Sequence, residues 1–229
     1  AQRLRMRGLD DNHPTDVSYF TRLTGYEIGR LRQPSRAEAM RRARDGKGDW
    51  ASPEPPHRVS QIFLESELKR RVDEISAIEA RFGWRLDEFT DRGDHVSVHA
   101  HQSDSDGELV IKAEFLIGCD GANSLVRKSL GIEYEGDSGI VRPMMGGPMY
   151  ATYFEVDPYP PWLPNEKAWQ YWTVNPEQRA LLIHVDSRDK FVFHCALPDA
   201  SAGKMIDPVT LIHRAVGAEF PVRVISSAN

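Results

Sequence analysis

Cysteine is nearly absent: Cys119 and Cys195 are the only two among 229 residues. Two thiols make neither a disulfide framework nor a cysteine-rich metal site, and a reducing, cytoplasmic compartment is the expectation. Long apolar runs are missing as well. None approaches the roughly 18 residues a membrane-spanning helix needs. The opening stretch, residues 1–8, carries arginines with no apolar segment behind them, unlike a signal peptide. Positive charge is not in surplus: 29 Lys and Arg stand against 34 Asp and Glu, a formal net charge of −5. That balance supplies no cation excess to release counterions from a phosphate backbone, so nucleic acid is not an expected partner, nor is an acidic membrane surface. Internal repeats and low-complexity tracts are also lacking.

What is present suffices for one large domain or two small ones, with 40% hydrophobic and 28% charged residues. Residues 3–7 read as the tail of a helix and 222–227 as a strand, and we read the chain as an interior piece of a longer protein. Residues 16–23 and 26–32 are two extended runs around Thr24-Gly25, the pattern of a hairpin. Ser35-Arg36-Ala37-Glu38 is a capping box, which predicts a helix to Arg44 ending at Gly46. Pro53, Pro55 and Pro56 forbid a helix interior, so 50–57 reads as an ordered loop or a lid. Residues 60–78 predict the longest helix, with Leu64, Leu68, Val72 and Ile75 as its apolar stripe.

Runs at 84–89, 94–101 and 109–117, separated by turn residues, predict an antiparallel meander. Beyond Gly131 the character changes. Runs at 148–156, 167–174, 179–186 and 190–197 are rich in aromatic and β-branched residues and predict a mostly antiparallel sheet. Asp207-Pro208 marks the start of a short helix to Val216.

The stretch from Phe115 to Arg127, FLIGCDGANSLVR, carries the most chemistry. Its apolar run 115–117 reads as a strand covered on both faces, breaking into Asp120-Gly121 before a helix near Asn123. Ligands of open α/β sheets bind at such strand ends. Asp120 could accept from a sugar hydroxyl, and Gly121 lets a ligand approach the backbone. Arg127 and Lys128 at a helix N-terminus oppose the helix dipole unless an anion lies in front of them; a solvated turn is the equal alternative. Gly46-Lys47-Gly48-Asp49-Trp50-Ala51 fits G-x-G-x-x-A in letters only. A helix precedes it and prolines follow it, so it is not a dinucleotide loop.

FLIGCDGANSLVR resembles the DG motif of FAD-dependent aromatic hydroxylases, the single-component flavoprotein monooxygenases related to p-hydroxybenzoate and phenol hydroxylases. Residues 58–65, RVSQIFLE, resemble that family's Gln segment, and 16–32, with Phe20-Thr21-Arg22-Leu23-Thr24-Gly25, its early hairpin. The resemblance implies FAD and NADPH as cofactors. It places Gln61 beside the FAD pyrophosphate and ribityl chain with Arg58 close by, Asp120 on FAD hydroxyls, and Gly121 and Arg127 where both FAD and NADPH are served. It implies that NADPH reduces the flavin, which then activates O2 to hydroxylate an electron-rich ring. The family's leading G-x-G-x-x-G strand-loop and later Gly-Asp segment have no counterpart in this sequence, which implies weak FAD binding and no turnover by this chain alone.

Other residues compete for a role. His95, His99 and His101 share one strand face, read here as solvated and not as a metal site. Glu65, Glu67, Asp73 and Glu74 lie among Lys69, Arg70 and Arg71 as a charged helix face. Pairing 180–186 with 190–196 across Ser187-Arg188-Asp189 sets His184 and His194 on one face of the later sheet, with Tyr153, Trp169 and Tyr171 as further candidates for an aromatic-lined pocket. Ordinary sheet core is the competing reading for each of them.

The sequence thus predicts an α+β chain: a partial FAD-binding α/β domain over 1–132, with hairpin 16–32 joining the other part, and an antiparallel-sheet substrate domain over 133–229. The expected partner is a small aromatic substrate, phenolic or polyketide-like, and an exposed sheet edge invites a second copy. The alternative is a non-catalytic relative that binds an aromatic ligand or a partner chain.

Overall fold

The computed structural model describes residues 2–47, 56–137, 139–140, 144–158, 160–197 and 207–228. The expected loop at 50–57, apart from Pro56 and His57, and residues 48–51 of the rejected glycine motif lie outside the described residues. In chain order the elements are α1 (Gln2–Arg5), β1 (Val17–Phe20), β2 (Glu27–Leu31), α2 (Arg36–Arg44), α3 (Gln61–Asp73), β3 (Trp84–Asp91), β4 (Val96–Gln102), β5 (Glu108–Ala113), α4 (Leu125–Ser129), β6 (Met149–Glu155), β7 (Gln170–Val174), β8 (Arg179–His184), β9 (Lys190–Ala196), α5 (Pro208–Val216) and β10 (Arg223–Ala228). Two compact units result, residues 1–70 with 142–229, and residues 71–141. No helix among the described residues is long and apolar enough to cross a membrane.

The larger unit is a seven-stranded sheet in the order β10-β6-β9-β8-β7-β1-β2. Every neighbouring pair is antiparallel except β1 with β7. The expected hairpin and all four later strands are present, and the run read at 222–227 pairs with β6. Burial alternates along β6 and β9, as a sheet with one covered face requires. The covered face carries Phe154, Phe191, Phe193, Leu182 and Tyr171, and the core also takes in Trp162 and α5.

Each end of α5 is specified by its residues. The Asp207 carboxylate accepts from the Val209 and Thr210 N–H groups, both at 3.2 Å, and Pro208 takes the first turn, where no N–H is needed. Leu211, Ile212, Ala215 and Val216 form the buried stripe. Gly217 ends the helix at φ 84°. There the hairpin turn is tied on: Thr24 N–H donates to the Val216 carbonyl at 3.1 Å and its hydroxyl to the same oxygen at 3.0 Å.

α3 ends at Asp73, short of the expected Ile78, and of its expected stripe Leu64, Val72 and Ile75 are half-buried while Leu68 is exposed. Leu68 is 55% exposed, whereas Phe63, Leu64, Glu67 and Arg70 are half-buried. Beside the stripe, Arg7 lies over the Phe63 ring, 5.8 Å from its centroid, and reaches Glu67 at 3.5 Å.

The smaller unit holds the expected meander, β3-β4-β5, all antiparallel. Its third strand stops at Ala113, not at Ile117. Phe115 and Ile117 are each 82% exposed, so the run read as doubly covered is not. An apolar run becomes a central strand only when strands flank it, and no described strand pairs with 115–117. His101 accompanies Asp87 at 2.7 Å and His95 accompanies Asp94 at 2.7 Å, and among the described residues no group of three or more acidic, His or Cys side chains is arranged to hold a metal.

A Cβ at position 217 meets Thr24 Oγ1 at 2.6 Å in a left-handed backbone conformation. Gly217→Ala is therefore expected to lower stability by about 2 kcal/mol, read as a lower urea midpoint at unchanged slope. An unaltered midpoint contradicts the tie between α5 and the hairpin.

Candidate functional site

A cavity of about 470 Å³ in the larger unit is lined by Arg58, Gln61, Trp169, His184, Val192 and His194, among others. It is positioned from both chain segments that meet there. Leu9 N–H donates to the Arg58 carbonyl at 3.1 Å. Residue 8 must be glycine, because a Cβ there lies 2.2 Å from that same carbonyl oxygen. Arg58 is thereby held with its guanidinium over the Trp169 ring, 4.0 Å from the centroid. Its Nε is buried without a hydrogen-bond partner, and burial lowers its pKa. Gln61 opens α3 and donates to Glu65 at 2.6 Å.

The opposite wall follows from the β8–β9 turn. Val185 N–H donates to the Lys190 carbonyl at 2.9 Å, so four residues, 186–189, make the turn. Asp186 Oδ1 accepts from the N–H groups of Arg188, Asp189 and Lys190, at 3.1, 3.2 and 3.2 Å. The expected three-residue loop is one short, and a one-residue change in register reverses which face each side chain takes. His184 consequently pairs with Phe191 and joins the core face, while His194 pairs with Leu181 on the other face. The expectation that the two histidines share a face is corrected, although both line the cavity.

His184 is 1% exposed, stacks on Phe191 at 4.4 Å between ring centroids, and has Nδ1 3.1 Å from Nε2 of His13. Burial, then the neighbouring His13, pushes its pKa down to about 3. Burial also lowers His13 and His194. Trp169 lies across the ladder from His184, whose N–H donates to the Trp169 carbonyl at 2.9 Å.

The two tyrosines do not line this cavity. Tyr171 faces the core, where its hydroxyl accepts the Ala168 N–H at 2.8 Å and burial raises its pKa to about 12. Tyr153 is half-buried one strand away, opposite Val192. His13 and His57 were not candidates in the sequence. A lone histidine in a polar turn carries no periodic signal, and nothing connects position 13 with position 184 before the chain is folded.

In the smaller unit the Asp-Gly corner closes on itself. Asp120 accepts from the Leu125 N–H at 2.6 Å, the Val126 N–H at 3.3 Å and the Ser124 hydroxyl. The Ser124 hydroxyl and, beyond it, these backbone donors hold its carboxyl below the usual carboxylate range against the opposing effect of burial. Gly121 turns the chain at φ 76°. α4 has only five residues, so Arg127 and Lys128 stand in its last turn, where the helix dipole favours cations. The anomaly inferred from the sequence thus disappears with the helix's length. The Arg127 guanidinium donates to the Ile132 carbonyl at 2.7 Å and to the Ala122 carbonyl at 3.4 Å, and lies 4.3 Å from the Tyr134 ring centroid, while its Nε is buried without a partner.

A histidine held neutral in the fold, against an ordinary value of 6.5, leaves the unfolded chain binding more protons below pH 6.5. Stability contributed by this site is complete above that pH and falls as acid is added. Unfolding by urea from pH 7 to pH 4 is expected to lose less stability in His184→Phe than in the wild type. An identical loss in both chains would show that His184 titrates freely.

The family model described as FAD binding domain matches residues 4–211. An FAD-dependent monooxygenase of Penicillium oxalicum, opdD, is 30% identical over 173 residues, 69% of this chain and 33% of its own length. A 3-(3-hydroxy-phenyl)propionate/3-hydroxycinnamic acid hydroxylase of Mycolicibacterium gilvum is 28% identical over 82 residues, 36% of this chain and 14% of its own. Among solved structures, the flavin-dependent monooxygenase PieE, in complex with FAD and substrate, superposes with a TM-score of 0.81 at 20% identity, over 100% of this chain and 39% of its own. The chain therefore spans about a third of the length of the Penicillium relative. By the match over nearly its whole length, the chain belongs to the FAD binding domain family, among the FAD-dependent monooxygenases.

Proposed function

We propose that this chain is the substrate-facing part of an FAD- and NADPH-dependent monooxygenase that hydroxylates an aromatic ring using O2. The observation that carries the reading is the cavity that brings a cation and an amide, Arg58 and Gln61, against an aromatic and imidazole wall, Trp169, His184 and His194. In this reading residues 1–132 supply cofactor contacts, with hairpin 16–32 assigned to the substrate part, and residues 133–229 supply the substrate sheet.

The residues fit a flavin dinucleotide on their own chemistry. Arg58 and Arg127 each retain a buried Nε–H without a partner, the donor type that a pyrophosphate or ribose oxygen satisfies. We assign Arg58 and Gln61 to FAD in the larger unit. In the smaller unit we assign Asp120 to nucleotide hydroxyls, and Gly121 and Arg127 to FAD and NADPH. Asp120 already accepts three internal donors, so its first task is to hold its own loop in shape, and a hydroxyl must share its remaining lone pairs.

Bound FAD supplies the oxidation chemistry, taking reducing equivalents from NADPH and activating O2. The chain's own residues supply position. Apolar Ile183 and Val192 form part of the cavity wall, and the Arg58 cation is held by Trp169. Phenols, substituted benzoates and polycyclic polyketides share the flat, electron-rich ring such a wall accepts.

Titration of FAD into the chain, followed by flavin fluorescence, tests the assignment. Saturable binding that weakens roughly tenfold in Arg58→Gln is expected. Flavin that binds equally to both would remove Arg58 from the FAD site. Binding of an aromatic ligand with no flavin binding would instead favour a non-catalytic ligand-binding module.

A further inference from the structure

Among the described strands of the larger unit, β1 and β7 form the one parallel pair. Parallel neighbours have no hairpin between them to fix their register, and a slip of one residue turns every side chain of a strand to the opposite face. Here the register is held at the start of the ladder. The Asp16 carbonyl accepts from the Trp169 and Gln170 N–H groups at 3.0 and 3.2 Å. Arg30, on the neighbouring β2, reaches both segments. A guanidinium has five N–H donors, and all of them are used. Nε donates to Glu27 Oε1 at 2.8 Å, Nη1 to Asp16 Oδ2 and to the Lys167 carbonyl, each at 3.1 Å, and Nη2 to the Glu166 carbonyl at 3.0 Å and to Glu27 Oε2 at 3.3 Å. The Arg30 and Asp16 side chains are only 6% and 5% exposed. Asp16 Oδ1 accepts the Gln33 N–H at 2.9 Å, so both oxygens of the carboxylate are tied. Just beyond Lys167 stands Trp169, whose ring carries the Arg58 guanidinium 4.0 Å from its centroid.

We propose that Arg30 is a positioning residue: by clamping the Glu166 and Lys167 carbonyls to Asp16 it sets the register of β7 on β1 and the place of the Trp169 ring, and through that ring the orientation of the Arg58 guanidinium. The inference rests on Arg58 being the FAD contact proposed above. The clamp requires geometry and not charge alone. A lysine ammonium keeps the charge, but it is a compact group whose three donors cannot serve Glu27, Asp16 and two carbonyls at once. The exposed ion pair of Arg32 with the Glu166 carboxylate is a separate contact, which joins side chains and leaves the backbone carbonyls untouched.

The full chain labelled with 5-fluorotryptophan tests this by 19F NMR, the Trp169 resonance being assigned by its loss in Trp169→Phe. Arg58→Gln takes the cation off the ring face and is expected to move that resonance. Arg30→Lys should move it as well, whereas Arg32→Gln should leave it at the wild-type position. Asp16→Asn/Arg30→Met removes both buried charges together, so that neither is left uncompensated, and is expected to displace the resonance as Arg30→Lys does. Titrated with FAD, Arg30→Lys is expected to bind roughly tenfold more weakly than the wild type, and Arg58→Gln/Arg30→Lys no more weakly than Arg58→Gln alone, because both changes act on one contact. A Trp169 resonance unmoved by Arg58→Gln, a wild-type resonance in Arg30→Lys or in Asp16→Asn/Arg30→Met, an equal displacement in Arg32→Gln, or losses of affinity that add overturns the proposal. The two readouts separate this inference from the reading it rests on. Displaced resonances with no flavin bound even by the wild type remove the FAD assignment and keep the clamp, whereas flavin binding weakened by Arg58→Gln with an unmoved resonance in Arg30→Lys does the reverse.

Discussion

The Asp186 turn is the constraint on which the rest of the larger unit depends. One carboxylate oxygen collects three successive backbone N–H groups and so fixes the connection at four residues. The turn's other contact matters as much: Asp10 N–H donates to the Ser187 hydroxyl at 2.9 Å, which draws the segment carrying His13 onto the end of β8. Lys190 closes the arrangement, donating to Asp189 at 2.8 Å and to Asp186 at 3.3 Å, and its pKa rises accordingly. From this turn follow the register of β8 with β9, the burial of His184 against Phe191, and the meeting of His184 with His13. A shorter loop would exchange the faces of every residue on β9 and bring Val192 and His194 into the core.

The same economy of donors and acceptors distinguishes the two candidate regions. At the Asp-Gly corner the polar groups largely satisfy one another: Asp120 is occupied by Ser124, Leu125 and Val126, and Arg127 by two carbonyls and the Tyr134 ring. Each region keeps one buried guanidinium Nε unpaired, Arg127 at the corner and Arg58 at the cavity, and the cavity adds His184 Nε2. Unpaired buried groups are where a ligand gains most, because it replaces a desolvation cost with a hydrogen bond. The cavity is therefore the stronger of the two sites on physical grounds, and the corner's tight turn is a loop structure first.

Much of the fold is legible in the sequence wherever local chemistry decides it. Asp207, Pro208 and Gly217 bound α5 because capping depends only on neighbouring residues. Ser35 caps α2 for the same reason, with the Glu38 N–H donating to its hydroxyl at 3.2 Å. The aromatic and β-branched runs of β6 to β9 announce strands. What is not legible depends on partners distant in sequence. Phe63 and Glu67 on α3 are half-buried because Arg7, more than fifty residues earlier, lies against them, whereas Leu68 of the expected stripe is exposed. Residues 115–117 form a central strand only if strands flank them. The parity of β8 and β9 turns on one residue of loop length, which the letters Ser187-Arg188-Asp189 do not reveal. Of the candidate site, Arg58, Gln61, Trp169, His184 and His194 meet at one cavity. Tyr171 is drawn into the core by the same alternation that leaves its neighbours half-buried, and His13 has no signal in the sequence at all.

The central claim is that the cavity between Arg58 and His184 receives the aromatic ring. A crystal structure of this chain grown with 2-naphthol measures it most directly. The account predicts the ring seated in the cavity against Trp169 and His194. A ring found on the exposed 115–117 run, or a cavity left empty, would contradict it.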